Sequence, residues 1–540
     1  MVRTLPFHGK NMGSIPIEDI NKSLFKGCFY FMDSIILKSF IPEIFLSLSI
    51  LFQLIFNARL VNNLKFNFPV IDQETFWQTS FILFCVILLL SNMKIEGMFS
   101  TFLFLNDESG RIVKIVLLLS SVLGLFVIFR SFTIQNLNFF EYFSIFLLSI
   151  LALMLLVSSS DLISAYLVIE MQALCFYILA SFRRDSAFST EAGLKYFISG
   201  AFISGIFLFG ASLIYGGLGT LNFNHISLLL SFPLENEFSH LKVFVLIGVL
   251  MVTITLLFKV AAAPFHFWSP DVYEGSPLSS TVIFSIVPKI VIFSFFIKWV
   301  SIISTLFIDV KDFFILVGII SVFTGTFFAL SQKRMKRLII FSSIAQVGFL
   351  VAALSTNSVD GFASIYFFLI IYILTSILVW NHVALFYSFQ KEIKNFSKRM
   401  ATPLFLSSLS NFFKYNGLWA FSFILMFFSI AGIPPLSGFL SKIFILFGLI
   451  NSNQLIGAIS LIMISAISVF YYIRVIKVVF FESKEAKARN DQFQTIFTVN
   501  LFDFDCLVIS ICLFCLVYFF FYPSTLLLLC QYIVLSSFWF

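Results

Sequence analysis

The sequence predicts an all-α polytopic membrane protein, and three observations predict it. Of the 540 residues, 60% are hydrophobic and only 11% are charged. Mean hydropathy is +1.02, whereas soluble domains carry about 45–50 % apolar and about 25 % charged residues. So few charges cannot clothe a globule of this size in polar surface. The apolar residues also fall into stretches of about 20, the length of an α-helix that crosses a bilayer. Nuclease, kinase and soluble dehydrogenase classes fall with the soluble fold. A net charge of +7, without a long basic run interleaved with aromatics, argues against nucleic acid as a partner.

About 14 such stretches follow in order: 39–57, 77–93, 112–131, 138–158, 161–182, 192–216, 240–267, 277–298, 312–331, 336–355, 361–388, 416–449, 454–480 and 502–522. The loops support the count. Those after odd-numbered spans carry Arg59 and Lys65, Arg183 and Arg184, Lys333, Arg334, Lys336 and Arg337, then Lys391, Lys394, Lys398 and Arg399, and finally Lys484, Lys487 and Arg489. Loops after even-numbered spans carry little beyond Lys94, Arg111 and Lys311. One missed span would scramble that alternation. The positive-inside rule places the odd loops on the cytoplasmic or matrix side and both termini opposite. The basic residues between Arg3 and Lys38 argue the other way, but they lie outside the packed region. Segment 1–36 is polar and mixed, has no signal-peptide pattern, and carries Glu18, Asp19 and Asp33, which a transit peptide would avoid.

Two spans cannot be simple. The seventh runs into Ala263-Pro264-Phe265-His266, and the twelfth contains Gly432-Ile433-Pro434-Pro435. Proline removes a backbone donor and clashes with the preceding turn, so both helices should break there. Broken backbone at membrane depth survives only where protein buries it or it lines a hydrated cavity. Function is expected at these two places.

Five ionisable groups fall well inside spans: Glu170 in the fifth, Lys195 one turn into the sixth, Lys259 in the seventh, Lys289 in the eighth and Lys442 after the twelfth-span break. Each ionised group at the bilayer centre costs about 2.5–3.5 kcal/mol on the lenient insertion scale, so it should face the bundle interior and have a partner. A single such group would be read as half of a buried ion pair that locks helix register. Five, two of them beside proline breaks, favour an ion path. Lysine suits that task because it releases its proton more easily once desolvated and holds it beside a carboxylate; Glu170 is the only carboxylate at mid-depth. His266, at the first break, is read as a proton relay, His382 as structural. Asp271 and Glu274 are expected to stabilise the start of the eighth helix.

Other chemistry is missing from the pattern. The seven cysteines make no disulfide framework, and Cys512 with Cys515 lies in an apolar helix without a second ligand pair. No P-loop, no dinucleotide fingerprint and no Cys or His cluster for iron–sulfur or haem is present. Any redox chemistry lies in another chain. Phe occurs 78 times, which is read as the coding bias of an AT-rich organelle genome.

The runs Leu167–Tyr177, Phe188–Phe197, Phe258–Pro277, Lys336–Ile344, Ala431–Lys442 and Tyr471–Lys477 together resemble the signatures of the NADH dehydrogenase subunit 2 family, the antiporter-like membrane subunits of respiratory complex I. The resemblance covers roughly residues 40–525 in unbroken order. It implies two inverted five-helix repeats, helices 4–8 over 138–298 and 9–13 over 312–480, with broken helices 7 and 12. Around them lie an N-terminal extension (1–36), helices 1–3 (37–131), and helix 14 with a tail (500–540). Carried over, Glu170, Lys195, Lys259, Lys289 and Lys442 occupy the family's proton-transfer positions, with Lys195 near the uptake side; lysine at 442 favours subunit 2 over the subunit 4 type. The segment 58–111 matches only loosely, and 1–36 has no counterpart.

The function this implies is proton translocation along Glu170, Lys195, Lys259, His266, Lys289 and Lys442, coupled to redox chemistry elsewhere. No cofactor is expected on this chain; NADH, FMN, iron–sulfur clusters and ubiquinone belong to other subunits. The expected partners are the other membrane-arm subunits of complex I, in a hetero-oligomer, and lipid. The expected location is the mitochondrial inner membrane, with odd loops in the matrix and both termini in the intermembrane space; plastid or bacterial membranes are alternatives. Two rival readings stay open: a stand-alone or Mrp-type cation/proton antiporter, and a structural spacer whose path is closed.

Overall fold

A computed structural model describes residues 39–63, 70–93, 99–100, 103–135, 140–231, 239–304, 307–394, 405–409, 413, 417–481 and 503–538. Segment 1–36 and the loop residues Lys65, Lys94, Lys398, Arg399, Lys484, Lys487 and Arg489 lie outside them. The chain opens with α1 (Ile41–Asn63), α2 (Val70–Asn92) and α3 (Glu108–Gln135). A two-residue antiparallel pairing, β1 (Phe99–Ser100) with β2 (Leu105–Asn106), precedes α3. The first five-span unit holds α4 (Glu141–Ser158), α5 (Leu162–Ala180), α6 (Ala187–Leu218), the short α7 (Phe223–Ser231), α8 (Ser239–Val260), the short α9 (Trp268–Gly275) and α10 (Leu278–Ile302). The second holds α11 (Phe307–Ser331), α12 (Met335–Leu354), α13 (Val359–Lys394), α14 (Gly417–Ala431), α15 (Ser437–Asn451) and α16 (Leu455–Phe480). α17 (Asp503–Phe521) and α18 (Pro523–Phe538) close the fold.

Among the described residues, 13 helices are long and apolar enough to cross a membrane. α14 and α15, each 15 residues, are the halves of the broken twelfth span, which restores the expected 14. A unit of five spans ends on the side opposite its start. The second unit therefore enters inverted, as the predicted fold requires.

Both breaks close in the same way. After α8, Ala261 takes a left-handed φ of 61° and the N–H of Ala262 donates to the Leu257 carbonyl at 3.0 Å. After α14, Gly432 takes φ 80° and the N–H of Ile433 donates to the Phe428 carbonyl at 3.0 Å. A left-handed residue followed by a six-to-one hydrogen bond is the usual way to satisfy terminal helix carbonyls. The Ala263–Pro264 and Pro434–Pro435 peptides within the breaks are cis.

α10 and α13 are buried along nearly their whole length and pack against each other, while α1, α2, α6 and α16 turn apolar side chains outward. In lipid, helices associate through close packing rather than through hydrophobic driving force. α6 and α8 show it: a Cβ on Gly210 would stand 2.9 Å from the Gly248 carbonyl oxygen, and one on Gly248 2.8 Å from that of Gly210. Two buried ion pairs fasten the flanking helices. Lys114 on α3 meets Glu43 on α1 at 2.6 Å and the Asn106 side chain at 2.7 Å. Arg130 on α3 meets Asp505 on α17 at 3.5 Å.

Two local expectations change. The tail after the fourteenth span is helical, because Pro523 suits the first position of a new helix, where no N–H is needed. Asp271 and Glu274 do not support the start of the eighth span. They sit on α9, and their carboxylates face α6 and α12.

Candidate functional site: a lysine axis between two helix breaks

The centre of the site follows from one proline. Pro288 lies inside α10 without ending it. Lacking an N–H, it leaves the Phe284 carbonyl, four residues back, without its helical partner. The Tyr273 hydroxyl donates to that carbonyl at 3.1 Å, and the Tyr372 hydroxyl donates to the neighbouring Ser285 carbonyl at 3.3 Å. Tyr372 in turn accepts from the Lys289 ammonium at 2.5 Å, whose Nζ stands 4.3 Å from the centre of the Tyr372 ring. Lys289 is 5 % exposed. A cation in that position gains from a hydroxyl lone pair and an aromatic face together.

Lys259 occupies the last turn of α8, where the carbonyl ends of the half-helix favour positive charge. Glu170 lies near the middle of α5. The two make no ion-pair contact among the described residues, and Glu170 Oε1 is buried without a hydrogen-bond partner. From the face of Glu170, Tyr177 and Tyr196 stand edge-to-face at 4.8 Å, and Tyr196 stacks on Trp268 at 4.7 Å. The Trp268 indole N–H donates at 3.0 Å to the carbonyl of Phe258, the residue before Lys259.

At the second break Lys442 comes from the far half. It rises from α15 to donate to the Ile430 and Ala431 carbonyls at 3.1 and 2.7 Å, the terminal carbonyls of α14. Each break thus places a lysine at the carbonyl end of its first half-helix. Between Lys289 and Lys442 run two narrow cavities that share Gln346, Tyr372 and Thr375 in their walls; one ends at Ser429, Ser441 and Lys442.

Of the predicted site residues, Lys289 and Lys442 are therefore linked through Tyr372 and the cavity walls, while Lys259 ends the half-helix at the first break. Lys195 does not face the interior: its side chain is 48% exposed and pairs with Glu191 at 2.8 Å and Asp271 at 3.3 Å. His266 is buried against Phe267 and Phe328 and makes no ion pair among the described residues. His382 is fully buried beside Trp419 and Phe423, with the Ser422 hydroxyl 3.4 Å from Nε2. Sequence reasoning missed Tyr372, Gln346 and the buried Lys336, whose Nζ donates to the Ser276 carbonyl at 3.3 Å. Lys336 stands at the start of an apolar span beside Lys333, Arg334 and Arg337, where sequence alone does not separate it from its loop neighbours.

A polar recess opens at the opposite end of the first unit, lined by Asp107, Lys298, Asn224 and several serines. Asp107 and Lys298 stand 3.8 Å apart. Burial pushes the Asp107 carboxyl up, against the pull of Lys298 and Lys114. No group of three His, Cys, Asp or Glu side chains converges to hold a metal among the described residues.

Comparison with known proteins matches this arrangement to a family. A sequence model described as NADH:quinone oxidoreductase/Mrp antiporter, TM, matches residues 159–471. The chain is 34% identical over 491 residues to NADH-ubiquinone oxidoreductase chain 2 of Marchantia polymorpha, covering 90% of this chain and 96% of that one. It is 35% identical over 460 residues to NADH-quinone oxidoreductase subunit N of Pelagibacter ubique, covering 84% and 92%. Its fold resembles a chain of respiratory complex I from Thermus thermophilus, with TM-score 0.70 and 23% identity over 90% of this chain and 98% of that one. It also resembles a chain of the Mrp complex from a Dietzia species, with TM-score 0.72 and 18% identity over 93% and 98%. With the family match spanning both helix breaks and all three axial lysines, the chain belongs to the NADH:quinone oxidoreductase/Mrp antiporter membrane family, among its chain 2 and subunit N members.

Proposed function

We propose that this chain is a proton-translocating membrane-arm subunit of a respiratory NADH:quinone oxidoreductase in the mitochondrial inner membrane. The observation that carries the reading is Lys289, buried at the centre of the bundle with a phenol hydroxyl as its partner and lysines at both helix breaks. A structural ion pair would bring a carboxylate to Lys289. A relay needs instead a partner that can accept and pass on a proton, which a phenol is.

Proton movement then depends on Glu170. When its carboxylate approaches Lys259, that lysine holds its proton; when it withdraws, the desolvated ammonium gives the proton up. The proton passes to Lys289, then through the Tyr372 hydroxyl and the cavity walls toward Lys442. Moving one charge against 100 mV costs about 2.3 kcal/mol, within what desolvating a lysine supplies. Oxidation of NADH, with its flavin, iron–sulfur and quinone sites, belongs in this reading to other subunits of the hetero-oligomer, and the basic odd-numbered loops face the matrix.

Membership of the complex is tested by a mild-detergent native gel of source membranes, stained for NADH dehydrogenase activity and analysed by mass spectrometry. The chain should migrate with a very large active band; a small band without flavin or iron–sulfur partners, with sodium-dependent transport by the isolated chain, would establish the Mrp-type reading instead. In the assembled complex, Lys259→Ala and Glu170→Ala should each abolish this chain's share of proton pumping while assembly persists. Wild-type pumping in both variants would sink the proposal.

A further inference from the structure

The first unit and the second meet at α9, an eight-residue helix placed immediately after the first break. A helix of two turns is not stable alone, so its position is set by what it touches. On its outer side stand the basic residues at the start of α12. Arg334 meets Glu274 at 2.5 Å, Arg337 bonds the other oxygen of Glu274, and Arg337 also meets Asp271 at 3.0 Å. Lys336 reaches the Ser276 carbonyl just past the helix end. α6 holds the same helix from another direction: Lys195 pairs with Asp271 at 3.3 Å, and a Cβ on Gly275 would stand 2.6 Å from the Phe188 carbonyl oxygen.

The inner side of α9 touches the two lysine-bearing helices. Trp268 donates to the carbonyl of Phe258, next to Lys259, and Tyr273 donates to the Phe284 carbonyl that Pro288 leaves free, next to the turn of Lys289. We propose that α9 is a coupling element, with Asp271 and Glu274 as positioning residues: the basic start of α12 holds α9, and α9 sets the placement of Lys259 and Lys289. The inference rests on the proton-translocation reading and adds the route by which the second unit acts on the lysines of the first. The loop charges between the ninth and tenth spans then do more than orient the chain. Arg334, Lys336 and Arg337 are the grip of one unit on the other.

Ion pairs between half-exposed side chains add little to stability, so a purely structural clamp predicts little effect from deleting one. The coupling role predicts otherwise. In the assembled complex, protons moved per NADH oxidised should fall in Asp271→Asn and in Arg334→Gln toward the value of a Lys259→Ala complex. Glu274→Arg sets like charge against Arg334 and Arg337 and should lower the ratio further; adding Arg334→Glu should restore part of it, a coupling that only a direct interaction produces. If Glu274→Arg fails to assemble, Arg334→Gln carries the test, since the Arg334 side chain is 44% exposed and its loss opens no cavity. An unchanged ratio in Asp271→Asn and Arg334→Gln, beside a lost one in Lys259→Ala, would overturn the coupling role and leave the function standing. An unchanged ratio in Lys259→Ala as well would overturn both.

Discussion

Lys289 and Tyr372 make the tightest polar contact on the axis, and it exists because a proline stands next to the lysine. Pro288 frees the Phe284 carbonyl of α10, which the Tyr273 hydroxyl takes, and the Tyr372 hydroxyl reaches the next carbonyl, that of Ser285. Hydrogen bonds to a charged group contribute about 1.5–3 kcal/mol, and an unpartnered buried donor costs more than the bond contributed. Tyr372→Phe keeps the ring under the ammonium but removes the hydroxyl. Proton pumping by the complex should fall sharply while the native-gel band persists, and Tyr372→Leu, which removes the ring too, should be worse. Pumping at the wild-type rate in Tyr372→Phe would take the hydroxyl out of the path. Tyrosine in an apolar span reads as ordinary core, so nothing in the sequence distinguished Tyr372 from the other buried aromatics.

The two broken helices are the elements that matter, and they differ at the left-handed residue. Both breaks need a left-handed residue; the second uses Gly432 and the first uses Ala261. A side chain in that region costs about 1–2 kcal/mol. Ala261→Gly should therefore raise the thermal stability of the assembled complex by relieving that cost, less the added freedom of the unfolded chain. Gly432→Ala should do the reverse. Its Cβ would also stand 3.0 Å from Cδ and 3.1 Å from Nζ of Lys442, pushing the ammonium from the α14 carbonyls. Melting curves of the two variants should move in opposite directions, and only Gly432→Ala should lower pumping. The breaks were legible because proline acts on its own helix. Lys442's role at one of them was not, because Lys442 and the carbonyls it caps lie on two separate half-helices.

Over the whole molecule, buried charge ties the flanking helices to one another. Arg130 and Asp505 join α3 to α17, and Asn381 on α13 adds a hydrogen bond at 3.3 Å to the Asp505 carbonyl. Removing one partner of a buried pair leaves an uncompensated charge and costs about 3–5 kcal/mol. Asp505→Ala should therefore reduce the amount of assembled complex on a native gel far more than Arg337→Gln, whose guanidinium is partly exposed and shared between Asp271 and Glu274. Equal yields would mean that lipid or water screens the pair. Nothing in the sequence marks these tethers, because Arg130 and Asp505 lie within a turn or two of the ends of α3 and α17, where a charge can reach the membrane surface and needs no partner.

The number of spans, the places of the two breaks and the lysines worth asking about were determined by the sequence alone. Apolar length, proline geometry and the cost of an intramembrane charge all act within one helix, and they can be read along the chain. Tertiary structure alone decided what each charge meets: a tyrosine 83 residues away for Lys289, an exposed carboxylate 76 residues away for Lys195, and the ends of a separate half-helix for Lys442. Inside a membrane a polar side chain has no water to turn to, so its function is set by whichever distant backbone or hydroxyl the folded chain delivers to it.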